Sequence, residues 1–139
     1  EHIYDPLDWL REARRILKPG GRLVIATPNS NGLVHHFFGA DWRGLEPPRH
    51  LHLFNPASMA TLIQNAGFTN FRIFTSIRDA NGTFIASSSL RDAGRFEMLA
   101  PVGITKKIAG RGVQRIEALV KAVRPDAGED LVVLAERDT

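Results

Sequence analysis

Leu17-Lys18-Pro19-Gly20-Gly21-Arg22-Leu23-Val24-Ile25-Ala26-Thr27-Pro28-Asn29 is the run that decides how this chain folds. Leu17 and Lys18 close a helical pattern. Pro19-Gly20-Gly21 then turns the chain, because proline cannot continue a helix and glycine accepts turn conformations that other residues avoid. Leu23-Val24-Ile25-Ala26 is an uninterrupted apolar stretch, short and bounded by turn residues, as expected of a strand buried on both faces of a parallel sheet. Pro28-Asn29-Ser30-Asn31-Gly32 breaks the pattern at the C-terminal end of that strand, where open α/β sheets bind ligands. Helix, tight turn and buried strand make an α/β unit, with Pro28 and Asn29 bordering a cleft.

Upstream, Asp5-Pro6 has the chemistry of a helix start, since Asp accepts free amide hydrogens of the first turn and Pro fits the first helical position. The pattern predicts a helix from Pro6 to Leu17, with Leu7, Leu10, Ala13 and Leu17 on one face. Downstream, residues 33–54 are rich in aromatics and histidine and have no clean period. They read as a long ordered loop with a helical turn carrying His35 and His36. Asn55-Pro56 repeats the capped start, and Met59, Leu62, Ile63 and Ala66 share an apolar face, which predicts a second helix from Pro56 to Ala66. Phe71, Ile73, Thr75 and Ile77 alternate with Arg72, Phe74 and Ser76 as a strand does, and Asp79-Ala80-Asn81-Gly82 reads as the turn that closes it. Residues 84–124 look helical in two pieces divided around Pro101 to Gly103, the second with Ile108, Ile116, Val120 and Val123 as an apolar stripe. Leu131-Val132-Val133-Leu134-Ala135 reads as a closing strand after the turn Pro125-Asp126-Ala127-Gly128.

With 139 residues, the chain suits one domain or part of one. Its 43% hydrophobic and 24% charged residues fit a globular protein, and no apolar run approaches the roughly 20 residues of a transmembrane helix. The N-terminus lacks the layout of a signal peptide, so a cytoplasmic location is expected. No cysteine is present, which removes disulfides, thiolate nucleophiles and Cys-ligated zinc. The net charge of +3 comes from 18 basic and 15 acidic residues interleaved along most of the chain, so no nucleic-acid partner is expected. The basic excess gathers in Lys106, Lys107, Arg111, Arg115, Lys121 and Arg124. Segment 104–124 therefore has two readings: a helical cover on the ligand side, or a peripheral contact with an anionic membrane.

In this order the pieces resemble the class I, Rossmann-like S-adenosylmethionine-dependent methyltransferases, especially the ubiquinone-biosynthesis-type branch. Glu1-His2-Ile3-Tyr4-Asp5-Pro6 is similar to the segment after that fold's fourth strand, and Arg15 to Gly21 to the helix end and turn before its fifth. Thr27-Pro28-Asn29 resembles the exit of the fifth strand. Trp42, Pro48-Arg49-His50 and Leu53-Phe54 resemble the branch's substrate-side loop, Ala66-Gly67-Phe68 the opening of the sixth strand, and Asp130 to Ala135 the antiparallel seventh. The resemblance covers about the first 77 residues well and the last ten fairly, and the middle hardly at all. It implies an α/β fold: the C-terminal half of the sheet, strands five, seven and six, with flanking helices and a helical insertion at 84–124. The glycine-rich loop after a first strand, which would cradle the cofactor, is missing; Gly110-Arg111-Gly112 does not replace it because no strand precedes it.

The resemblance implies methyl transfer from S-adenosylmethionine to a small-molecule or lipid-linked acceptor, with residues 1–139 as the substrate-side part of a domain and inactive alone. A binding or assembly module that keeps the second half of the fold without catalysis is the alternative. His50 is the candidate general base, flanked by Arg49 and His52, or else it only orders its loop. Glu1 and His2 would approach the methionine end of the cofactor or the acceptor. Pro28, Asn29, Trp42, Arg49 and His52 are the candidate substrate-binding residues. Trp42 serves equally as a pocket wall or a core anchor, and Arg49 as an anion clamp or an ion-pair partner. His50 and His52 would share a face, but no third ligand at helpful spacing accompanies them, so no metal site is expected. Strand 22–27 would lack its neighbour, and its edge is expected to be covered by a second copy in a homodimer, by the inserted helices, or by the missing half.

Overall fold

Asp130–Glu136 (β3) runs between Arg22–Pro28 (β1) and Asn70–Ser76 (β2) and is antiparallel to both, giving the order β1-β3-β2. The computed structural model describes residues 1–95 and 101–138. The strand order and direction are those expected of strands five, seven and six. The register stacks Leu23, Ala135 and Phe71 in one row, Ile25, Val133 and Ile73 in the next, and Thr27, Leu131 and Thr75 in a third. Because side chains alternate across a strand, all three rows lie on one face, and Leu131, Val133 and Ala135 are buried there.

Two helices cover that face. Pro6–Ile16 (α1) begins where predicted, with Asp5 Oδ1 accepting from the Asp8 amide 2.9 Å away, and ends one residue early because Leu17 is already extended. The turn after it needs Gly20, whose φ of 72° is strained for other residues. The Arg137 guanidinium donates to the exposed carbonyls of Arg15 and Leu17, tying the end of α1 to the exit of β3. Pro56–Asn65 (α3) starts with a capping box in which Asn55 and Ser58 exchange hydrogen bonds. Leu10 of α1 and Met59 and Ile63 of α3 meet Phe54, Phe68 and the β3 row to form the main core.

Three expectations require correction. Strand β1 is buried on one face only: Val24 is 64% exposed, and Leu134 and Phe74 are exposed on the same outer face, because the described helices that pack on the sheet all lie opposite. Asp79 to Gly82 is not a free turn. Ala80 is fully buried and begins the helix Ala80–Ala93 (α4). Local composition favoured a turn, but packing against Ile104–Val123 (α5) prevails, and Gly110 makes it fit: a Cβ there would lie 2.2 Å from Asn81 Oδ1. Finally, the predicted apolar stripe of α5 does not face a core, since Ile108, Ile116 and Val123 are exposed.

The pattern-free region 33–54 contains the short helix Leu33–Phe38 (α2) and two 3₁₀ turns, Gly39–Asp41 and Arg43–Leu45. Val34, Phe38 and Trp42 form a second small core against Phe84 of α4 and Val113 of α5. Helices α4 and α5 gather there rather than along the outer edge of β1. That edge instead borders an apolar groove of about 320 Å³, lined by Ile3, Trp9, Leu10, Val24, Phe54 and Leu62 among others. Ile63 is fully buried and Ile16 is 67% exposed. Ile63→Ala is therefore expected to cost about 2–5 kcal/mol in urea denaturation, and Ile16→Ala no more than about 0.5 kcal/mol.

Candidate functional site

The C-terminal end of β1 opens into a cavity of about 560 Å³. Thr27 and Pro28 form its floor, Gly82, Thr83 and Ala86 of α4 one wall, and Glu1, Arg43, Glu46 and His50 the polar side. Helix α5 contributes nothing to this lining. The strand end places Pro28 there, and the neighbouring Asn29 is turned away. Fully buried, Asn29 donates through Nδ2 to the carbonyls of Asp126 and Gly128 at 2.7 Å each and accepts from the Asn31 amide through Oδ1, so its side chain holds the two loops together.

The His50 side chain is only 6% exposed. Its Nδ1 lies 2.6 Å from the Gly44 carbonyl, which can only accept, so Nδ1 carries the hydrogen and Nε2 is left with the lone pair in the neutral ring. Nε2 is 3.5 Å from Glu46 Oε2 and 3.9 Å from Glu1 Oε1. Glu46 is held as a carboxylate. The Arg43 guanidinium hydrogen-bonded to it, helped by Arg49, draws its carboxyl down to about 2. A base flanked by two carboxylates suits proton uptake, because the imidazolium formed would be stabilised by both.

His2 repeats the arrangement. Its Nδ1 donates to the Arg49 carbonyl at 3.1 Å, and its Nε2 lies 3.5 Å from Glu1 Oε1. Glu1 also accepts from the Thr27 hydroxyl. Ligand atoms of Glu1, His2 and His50 all lie within 4.8 Å of one another, a set of one carboxylate and two imidazoles able to take a divalent cation. Of the pair His50 and His52 only His50 takes part, and the two other ligands, Glu1 and His2, come from the start of the sequence. His52 does not join them: its Nε2 faces the Tyr4 carbonyl at 3.3 Å and its ring stacks on Phe54.

Arg49 pairs with Glu46 at 3.1 Å and is largely exposed, whereas Arg43 makes the closer contact and lines the cavity. Sequence reading missed Arg43 and Glu46, although their spacing of three was visible. Trp42 is 1% exposed, stacks on His35 at 4.3 Å and donates through Nε1 to Glu129 Oε1 at 2.6 Å, so it anchors the second core. Glu129 and Glu117 were also missed. The Glu129 amide donates to Glu117, both side chains are buried, and each keeps one unpartnered oxygen. Burial pushes Glu117 up to about 7 and Glu129 up to about 8; in Glu129 the Trp42 hydrogen bond opposes the rise and the neighbouring Glu117 charge adds to it. Nearby Asp130 carries the same sign, while Lys121 offsets it at Glu117.

A family model described as a methyltransferase domain matches residues 1–73. A ubiquinone biosynthesis O-methyltransferase of Cereibacter sphaeroides is 36% identical over 73 residues, covering 48% of this chain and 30% of the relative. A probable S-adenosylmethionine-dependent methyltransferase of Mycolicibacterium smegmatis is 29% identical over 142 residues, 99% of this chain and 49% of the relative. This chain thus spans half or less of the length of these relatives. The fold is shared with a crystal structure from Thermotoga maritima, a SAM-dependent methyltransferase described as a possible histamine N-methyltransferase. The TM-score is 0.54 at 18% identity, over 98% of this chain and 50% of that one.

The buried carboxyls give the chain a pH signature. Acids whose folded values lie above their unfolded ones lose folding free energy as pH rises from about 4.3, here through about 7 and 8 for Glu117 and Glu129. Glu46, drawn down to about 2, acts oppositely, and its contribution disappears as pH falls through that value. Thermal unfolding should show a maximum Tm near pH 5, falling by roughly 5 °C or more towards pH 8. Glu129→Gln should flatten that alkaline decline.

Proposed function

The chain belongs to the methyltransferase domain family, and on that premise we propose that it forms the acceptor-side half of an enzyme that moves the sulfonium methyl group of S-adenosylmethionine to a small-molecule or lipid-linked acceptor. The cofactor arrives already activated, so the protein's task is largely to position the acceptor and, where its nucleophile carries a proton, to remove it. The S–CH₃ bond breaks with its electron pair returning to sulfur, the acceptor supplies the pair for the new bond to carbon, and its proton passes to a base.

The observation that carries this reading is His50. Its ring is buried at the wall of the cavity, Nδ1–H is committed to the Gly44 carbonyl, and the lone pair of Nε2 lies beside two carboxylates. His50 is the proton acceptor in this scheme. Pro28 and the α4 residues shape the acceptor pocket, Arg43 and Arg49 keep Glu46 ionised beside the base, and Glu1 and His2 stand on the cofactor side. These 139 residues contain no glycine-rich loop after a first strand, so in this reading the loop that cradles the cofactor is supplied from outside them.

Two measurements test the reading. In the enzyme carrying this segment, His50→Asn should lower kcat by about 10²–10⁴ and abolish the rise in rate with pH that reports a titrating base; unchanged kinetics would remove His50 from the chemistry. The isolated 139-residue chain should show no calorimetric binding of S-adenosylmethionine at micromolar concentration. Micromolar affinity would mean that the cofactor site lies within it after all.

A further inference from the structure

The outward face of α5 is unlike the rest of the surface. Successive helix residues turn by roughly 100°, which brings Ile104, Ile108, Arg111, Arg115, Leu119 and Ala122 into one stripe within roughly 80° of arc. Ile104, Ile108 and Leu119 are 71%, 65% and 73% exposed, and Val123 beside them is 84% exposed. Lys107 flanks the stripe and Arg124 follows the helix end, both exposed. The helix's single acid, Glu117, is fully buried on the opposite side, where Gly110 packs on α4 and Gln114 donates to the carbonyls of Ile77 and Arg78. The outer face therefore alternates large aliphatic side chains with cations and carries no acid.

From this face we infer that α5 docks on an anionic lipid bilayer, with Ile104, Ile108, Leu119 and Val123 entering the acyl boundary while Lys107, Arg111 and Arg115 meet the headgroup phosphates. Charge complementarity selects this occupant. A symmetric contact with a second copy would set Arg111 and Arg115 against like charges with no acid to neutralise them. A nucleic acid would meet the cations but leave the aliphatic stripe against polar sugar and phosphate, and the stripe has no aromatic ring for a base to stack on. The helix is fixed to the β2–β3 end of the sheet, away from the edge of β1, so the face lies apart from the surface that an additional strand would cover. The inference does not depend on the methyl-transfer reading.

Co-sedimentation of the full chain with phosphatidylcholine vesicles, and with vesicles containing roughly one-third phosphatidylglycerol, tests it. Anionic vesicles should bind at least about tenfold more protein, with the excess shrinking as salt rises. Ile108→Ser/Leu119→Ser should reduce binding by about tenfold, and Arg111→Gln/Arg115→Gln should weaken it and remove most of the salt dependence, with circular dichroism confirming retained helix. In the unmodified chain, anionic vesicles should slow amide exchange across 104–123 and leave α1 unaffected. Equal binding to both vesicle types, no binding, or protection confined to other elements would overturn the inference. So would a dimer that the Ile108→Ser/Leu119→Ser pair dissociates while vesicles leave the chain untouched.

Discussion

Everything in this chain hangs on β3. It supplies backbone hydrogen bonds to strands on both its edges, and its Leu131, Val133 and Ala135 lie at the centre of all three rows of the main core. Because it runs antiparallel to both neighbours, the chain must enter it at the end where β1 and β2 leave. The approach, Pro125 to Glu129, is consequently braced by residues just past or within those strand ends: the Asn29 amide on Asp126 and Gly128, and the Thr75 hydroxyl on the Pro125 carbonyl. An antiparallel central strand thus brings side chains at the ends of both neighbouring strands to cross-link the cavity end of the sheet, although most of that end is loop.

The same entry point joins the two cores. Glu129 begins at the mouth of β3, receives the Trp42 indole from the second core and donates its own amide to Glu117 of α5. Two neighbouring buried carboxyls are costly unless at least one stays neutral, and burial raises both values far enough for that. What the pair supplies is a polar link from the entry of β3 to Trp42 of the second core on one side and to α5 on the other. Glu129 itself lines the cavity, so the shape of the site depends also on Trp42 and Glu117, which hold Glu129 from outside the lining.

How much could be read beforehand depended on the range of the interaction involved. Asp5, Asn55 and the glycines that follow α1 and α3 mark boundaries by contacts within a few residues, and both helices lie within one residue of where the pattern places them. At 79–82, equally local signals misled, because the deciding contact is with Gly110, about 30 residues further on. Likewise, the apolar period of α5 correctly marked a helix but not which side would be buried: that side is occupied by Gly110, Gln114 and Glu117, and the aliphatic side faces outward.

For the site, residue type and position pointed to His50 and Pro28, and the family resemblance to Glu1 and His2; the structure brings all four to or beside one cavity. The partners that give them chemical character were beyond reach. Glu1 lies 49 positions from His50 in sequence, the Gly44 carbonyl that sets the His50 tautomer is a backbone atom with no sequence signal, and Trp42 finds Glu129 across 87 residues. By itself the sequence determined the helix caps, the strand period and so the α/β half-sheet, because those follow from hydrogen bonds and side-chain spacing within a few turns of chain. Only the tertiary structure decided which faces are covered, which histidine nitrogen is free and which carboxyls are buried. These depend on groups distant in sequence meeting in a shared, water-poor space, where desolvation and pairing outweigh local preference.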